Sequence, residues 1–311
     1  MEKIAIAVHG GAGPDSDFIK KNIEGYKEGI RKAIETGYEV LEKGGSSLDA
    51  VEAAVRLLED DPLFNAARGS VLNEHGEIEM EASIMNGKDL SCGAVAVVKN
   101  IQNPVRLARA VMEKTEHVYL GGQGCLDFAK QLGLPLQPDE YFITEHVKEE
   151  LEKSRRQKEQ SQTKEKIKAT ATELGTVGAV ALDKYGNLAS ATSTGGLENK
   201  KRGRIADSSV IGSGAYANNF CAVSTTGDGE FMIRYVASFQ VAALMEYKGM
   251  SLQEACYFLI QQKCKDIKGD MGLIAVDAQG NVSVEYNSQR MHRGWKTNSE
   301  QLKAFIYPGE Q

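Results

Sequence analysis

The residues best suited to chemistry in this chain are hydroxyls, and two of them stand on either side of one tight turn. Thr176 opens a β-rich run, 176–183, directly after Gly175, and a second run, 188–194, returns to end on Thr194. Lys184-Tyr185-Gly186-Asn187 between them reads as a hairpin turn. Pairing residue 184 with 187 puts residue 176 opposite residue 195, so Thr194 arrives within one residue of Thr176. A Thr hydroxyl becomes a nucleophile only with a base beside it. A Thr at a strand start is otherwise simply a good strand former, and the spacing leaves both readings open.

Other chemistries find less support. Gly11-Ala12-Gly13 and Gly212-Ser213-Gly214 lack the third glycine of a dinucleotide loop, and no phosphate-loop, HExxH or EF-hand spacing is present. His9-Gly10-Gly11 after a strand matches the start of an esterase oxyanion loop, but no GxSxG elbow exists to use it. The histidines (9, 75, 117, 146 and 292) form no close pair, which disfavours a metal centre. Lys200-Lys201-Arg202-Gly203-Arg204 could hold a phosphate, but so short a basic run reads as a solvated loop unless Arg204 has a particular task.

The chain has 311 residues, 41% hydrophobic and 26% charged, enough to bury a substantial core and inconsistent with general disorder. A net charge of −6 makes it a poor polyanion binder, so no nucleic-acid partner is expected. No run of 18 apolar residues could cross a membrane, and the apolar stretch after Met1 is too short for a signal peptide. Five scattered cysteines (92, 125, 221, 256 and 264) with no CxxC pair indicate neither disulfides nor zinc, which suits a reducing compartment, most simply the cytosol.

The elements that must position these groups follow from periodicity. Residues 3–8 read as a buried strand, and Ile19 to Leu41 recur at helical spacing until Gly44-Gly45. Ser46 to Asp49 resembles a cap for a second helix, broken at Asp60-Asp61-Pro62. Strands are expected at 70–73, 77–85 and 92–99, and helices at 104–114 and 123–132. Residues 146–170 are about half Lys, Arg and Glu, and read either as a flexible connector or as a solvated charged helix. Beyond them lie the hairpin, a strand at 222–226, helices at 230–247 and 251–266, and strands at 271–277 and 281–286. Strict strand–helix alternation is missing, which favours an α+β layered domain.

Seven segments, in order, carry a resemblance. They are His9-Gly-Gly-Ala-Gly13, Leu58-Glu-Asp-Asp-Pro-Leu-Phe-Asn-Ala66, Met80-Glu-Ala-Ser-Ile-Met85, Gly175-Thr-Val-Gly-Ala-Val-Ala-Leu-Asp183, Thr192-Ser-Thr-Gly-Gly196, Gly203-Arg-Ile-Ala-Asp207 and Ser224-Thr-Thr-Gly-Asp-Gly-Glu230. Together they resemble the isoaspartyl peptidase/L-asparaginase family of N-terminal-nucleophile hydrolases, from about residue 3 to about 285. The resemblance implies a single domain, 1–311, folded as a four-layer αββα sandwich. It also implies self-cleavage at Gly175–Thr176 into chains 1–175, carrying the charged connector 146–170, and 176–311. A homodimer of cleaved αβ protomers is implied as well.

The activity implied is hydrolysis of L-asparagine and β-aspartyl dipeptides, with L-aspartate released. Thr176 matches the family's nucleophile, Thr194 the hydroxyl that tunes it, and Asn65 a polar residue supporting it. Arg204 and Asp207 match the pair that grips the substrate's α-carboxylate and α-ammonium, with Gly229 beside them, and Thr226 and Gly227 match the oxyanion-hole residues. The resemblance implies no catalytic cofactor, and a structural sodium ion held by the backbone carbonyls of Leu58, Glu59, Asp61, Phe64, Ala66 and Arg68. Two departures bear on this. Where the family often has Asn-Ala-Gly this chain has Asn65-Ala66-Ala67, strained if that position takes φ > 0; and Asp228 adds negative charge near an anionic substrate. Residues 287–311 lie outside the resemblance. An alternative outside enzymology is a precursor that never cuts itself and serves as a binding or structural module.

Overall fold

The computed structural model describes residues 3–160 and 175–310 of the single uncut chain. Strand β1 (Ala5–Gly13) leads into a short helix α1 (Asp17–Lys21), then α2 (Ile23–Glu42) and α3 (Ser47–Asp60). Strands β2 (Met80–Asn86) and β3 (Cys92–Val98) precede α4 (Pro104–Lys114), β4 (Tyr119–Gly121), α5 (Gln123–Gln131), α6 (Asp139–Phe142) and α7 (Glu145–Gln160). The second half runs β5 (Val177–Leu182), β6 (Leu188–Thr194), β7 (Ala215–Ala217), β8 (Cys221–Gly227), α8 (Gly229–Tyr235), α9 (Ala237–Lys248) and α10 (Leu252–Tyr257). It ends with β9 (Met271–Asp277), β10 (Val282–Tyr286), β11 (Arg290–Thr297) and β12 (Lys303–Phe305).

The strands form an eight-stranded sheet, β12-β11-β1-β5-β6-β2-β3-β4, and a four-stranded one, β10-β9-β8-β7. Helices α2, α3 and α4 cover the outer face of the large sheet, and α9 and α10 that of the small one. The inner faces meet through β1, β5 and β6 against β8 and β9. The result is the four-layer αββα sandwich that the sequence implied.

Each layer boundary has its own apolar core. Ile30, Ile34, Val51, Leu58 and Ala179 pack helices on the large sheet. Val223, Val241, Leu259 and Leu273 pack the small sheet on its helices. Ala5, Ala7, Val180, Leu182, Leu188, Ile274 and Val276 fill the space between the sheets.

Several expected elements shift. The stretch 70–73 is a loop rather than a strand. The helix expected over 230–247 is broken by Val236, whose φ of 48° is left-handed. Asn22 separates α1 from α2, and Ser46 caps α3 by accepting from the Asp49 N–H. The first part of the charged stretch is a docked helix: Val147 and Leu151 of α7 are buried, and Asn199 donates to Ser154. The remainder of that stretch, 161–170, lies outside the described residues. Residues 287–311, unmatched in the sequence reading, supply β11, which pairs antiparallel with β1 one strand in from the sheet's edge.

Candidate active site

Strand β5 begins one residue after Thr176, and its register with β6 is shifted by one residue from what the turn arithmetic gave. Val177 pairs with Ser193 and Leu182 with Leu188. The turn therefore closes on three residues, Lys184 to Gly186, with Gly186 at φ 81° and the Asp183 carboxylate accepting from the Tyr185 and Asn187 N–H groups. Continued one step, this register sets Thr176 directly opposite Thr194, and directly opposed residues share a face. Thr176 Oγ1 donates to Thr194 Oγ1 at 3.2 Å, and Thr194 Oγ1 also accepts from the Gly196 N–H at 2.9 Å.

Asn65 frames the loop after Thr194. Its Nδ2 donates to the Gly196 carbonyl at 2.9 Å, and its own carbonyl accepts from the Gly195 N–H at 3.0 Å. Lys200 closes the same loop from below, donating to the carbonyls of Gly195 and Glu79, with burial pushing its pKa down to about 8. The basic run is thus not one feature: Lys200 is buried, whereas Lys201 is largely exposed.

Thr176 opens onto a cleft lined by Gly175, Gly196, Arg204, Asp207, Gly227, Asp228 and Gly229. Arg204 donates through Nε and Nη2 to the Glu230 carboxylate at 2.9–3.0 Å, and its Nη1 is buried with no partner among the described residues. Asp207 accepts from Thr225 Oγ1 at 3.0 Å, and burial raises its pKa to about 7 against the opposing pull of Thr225 and Arg204. A Cβ on Gly229 would come within 2.7 Å of Asp207 Oδ1 and 3.1 Å of Arg204 Nη2, so only glycine lets the pair approach. Gly227 has φ 129°, and a Cβ there would strike the Asp270 carbonyl. Thr226 is fully buried and lies behind the cleft wall. Its Oγ1 accepts from the Ala12 N–H at 3.2 Å, which leaves its own O–H able to donate.

The structure brings in groups that the sequence reading did not select. Ser208 Oγ lies 3.5 Å from Thr176 Oγ1, one residue beyond the Gly203–Asp207 motif. Glu81, buried and pushed up in pKa by that burial, accepts from the Ala206 N–H and Ser209 Oγ, and so holds the loop carrying Arg204 and Asp207. Glu81 lies inside the Met80–Met85 motif, and its burial among strand neighbours is the signal that was available. Glu230 ends its own motif in the same way.

The 58–68 stretch folds back on itself. The Glu59 carbonyl accepts from the Arg68 N–H, and a Cβ on Gly69 would meet the Pro62 and Phe64 carbonyl oxygens at 2.6 and 2.7 Å. These oxygens crowd the position a side chain would take, which explains the glycine there. Ala67 sits at φ 44°, so the strain anticipated for an alanine at this position is present. Among the described residues no cluster of His, Cys, Asp or Glu could hold a metal ion, and no helix is long and apolar enough to cross a membrane.

An αββα sandwich with a threonine hydroxyl at the mouth of an inner strand, beside a second hydroxyl and an Arg/Asp pair, defines a hydrolase of the N-terminal-nucleophile type. The chain belongs to the asparaginase family, whose model matches residues 2–306, including most of the C-terminal stretch outside the seven motifs. It is 44% identical to an isoaspartyl peptidase of Salmonella typhimurium over 95% of this chain and 96% of that protein. It is 47% identical to a Bos taurus isoaspartyl peptidase/L-asparaginase, covering 92% and 91% of the two chains. For the Homo sapiens isoaspartyl peptidase/L-asparaginase the figures are 46% identity, 94% and 92%.

Proposed function

We propose that this chain is the precursor of a threonine amidohydrolase that hydrolyses β-aspartyl dipeptides and L-asparagine and releases L-aspartate. The observation that carries the reading is Thr176 Oγ1, 3.2 Å from Thr194 Oγ1 and directly after Gly175, on the cleft that Arg204 and Asp207 also line. In the precursor, Thr176 Oγ1 attacks the Gly175 carbonyl carbon and the peptide C–N bond breaks to leave an ester. Water hydrolyses that ester, giving a Gly175 carboxylate and a free Thr176 α-amine. An α-amine titrates at about 7.7–8.0, close to the optimum for a general base at neutral pH.

In the matured enzyme that amine takes the Thr176 Oγ1 proton as the oxygen attacks the substrate's side-chain carbonyl. Thr226 and Gly227 stabilise the oxyanion. The C–N bond breaks, the leaving amine takes the proton, and water hydrolyses the β-aspartyl ester. Arg204 meets the α-carboxylate with Nη1, and Asp207 meets the α-ammonium. A homodimer of cleaved protomers, a sodium ion in the 58–68 loop and a cytosolic home are parts of the same proposal. Five free cysteines suit the last of these.

Steady-state kinetics on asparagine, a β-aspartyl dipeptide and its α-linked isomer, side by side, test it. Turnover of the first two alone is expected, since an α-linked aspartyl residue has no free α-carboxylate for Arg204. A protein that stays uncut and turns over none of them would be the inactive module instead.

A further inference from the structure

His9 is absorbed by none of the chemistry above, yet it is buried at the nucleophile's back. Its Nδ1 lies 3.0 Å from the Thr176 carbonyl oxygen, and its Nε2 lies 2.8 Å from Ser224 Oγ. Ser224 Oγ in turn lies 2.8 Å from Thr192 Oγ1, which is 3.2 Å from the Gly214 carbonyl. A Cβ on Gly178, the residue paired with His9 across the ladder, would collide with both His9 Nε2 and Ser224 Oγ. The missing side chain is what lets the ring lie across β5 and reach Thr176.

The proton positions from Ser224 to Thr176 follow from the partners. A carbonyl only accepts, so Nδ1 carries the hydrogen. Burial lowers the imidazole pKa to about 3, so the ring is neutral and Nε2 is a bare acceptor. Ser224 must then donate to Nε2. The Thr192 hydroxyl has one proton and two neighbours able to accept it, Ser224 Oγ at 2.8 Å and the Gly214 carbonyl at 3.2 Å. From Ser224 through His9 to Thr176 the bonds run one way, and such a chain polarises each member in turn.

The nucleophile needs this support for a geometric reason. The β5 ladder begins at Val177, so Thr176 lies beyond the strand pairing, and maturation would also sever its bond to Gly175. We infer that His9, oriented by Ser224 and Thr192, is a positioning residue that anchors the Thr176 carbonyl and so fixes Oγ1 in the cut enzyme. This rests on Thr176 being the nucleophile. His9 touches no reacting atom and transfers no proton during turnover.

Two measurements test it. In the matured enzyme, His9→Phe should lower kcat on the order of 10- to 100-fold, as small misplacements of reacting groups do, with KM nearly unchanged. His9→Asn places an amide N–H where Nδ1 stood and should recover most of that loss, whereas Ser224→Ala should fall between. Nitrogen NMR of the wild type, with His9 assigned through His9→Asn, should show a neutral Nδ1–H ring from pH 5 to 9. An Nε2–H ring, a protonated ring in that range, or a His9→Phe enzyme with wild-type kcat would overturn the inference. A wild type inactive on every aspartyl substrate, but with the Nδ1–H ring intact, would count against the proposed function and leave the anchor standing.

Discussion

The two ends of the space between the sheets have the same architecture and opposite contents. At one end β1, β5, β6, β8 and β9 turn Ala5, Ala7, Val180, Leu182, Leu188, Ala222, Ile274 and Val276 inward. A few residues along, the same alternation turns inward His9, Ser190, Thr192, Thr194, Ser224 and Thr226, all buried. The apolar end gains from leaving water, about 25 cal/mol per Å² of apolar surface. The hydroxyl end gains little from burial and is tolerable only because its groups find partners, as when Ser190 Oγ donates to the Val223 carbonyl at 2.7 Å. One end holds the sandwich shut, and the other spends that rigidity on holding Thr176.

The largest effect should come at the hydroxyl end's open side. Arg204→Ala should lower kcat/KM for β-aspartyl dipeptides on the order of a thousandfold, because a buried Asp207 and the substrate carboxylate both lose their counter-charge. Self-cleavage, which binds no substrate carboxylate, should proceed, and a denaturing gel beside the kinetics checks both.

A smaller effect follows from Asp207. Burial holds its pKa near 7, so below that pH the carboxyl is protonated and cannot pair with the substrate's ammonium. KM should rise as pH falls through 7, approaching tenfold per unit, and be flat above it. A KM independent of pH between 5 and 8 would remove Asp207 from this role.

The smallest effect lies at the apolar end. Val180→Thr puts a hydroxyl where its neighbours are apolar, and should cost about 1–3 kcal/mol of stability in denaturant unfolding. Turnover per folded molecule should not change. A loss of kcat there would mean that the two ends are not separable.

Much of this division was legible in the sequence. The alternation of 176–194 and the α+β layering could be read from residue type and spacing, whereas the motifs that carry the cleft were legible only through the family resemblance. The register could not, because a two-residue turn was assumed where Asp183 closes a three-residue one. The signal was present: Asp277-Ala-Gln-Gly-Asn281 repeats the Asp183-Lys-Tyr-Gly-Asn187 pattern, and its hairpin closes in the same way through Asp277 and Gly280. His9, Ser208 and Ser224 were hidden for another reason. Their partners lie far off in the chain, and a lone histidine or serine has no periodicity to betray it. Strand β11 was missed because residues 290–297, with two Arg, a His and a Lys, do not read as an inner strand, although Arg290 and His292 are buried there.

The central claim is that Thr176 cuts the chain before it serves as nucleophile, and N-terminal sequencing with intact mass, on wild type and Thr176→Ala together, tests it most directly. Wild type should yield two chains, the second starting at Thr176. Thr176→Ala should remain one 311-residue chain, inactive but folded, with an unfolding midpoint close to that of wild type, because one hydroxyl is a small part of so large a core. An active wild type with no new N-terminus at Thr176, or a Thr176→Ala chain cut at the same bond, would contradict the account.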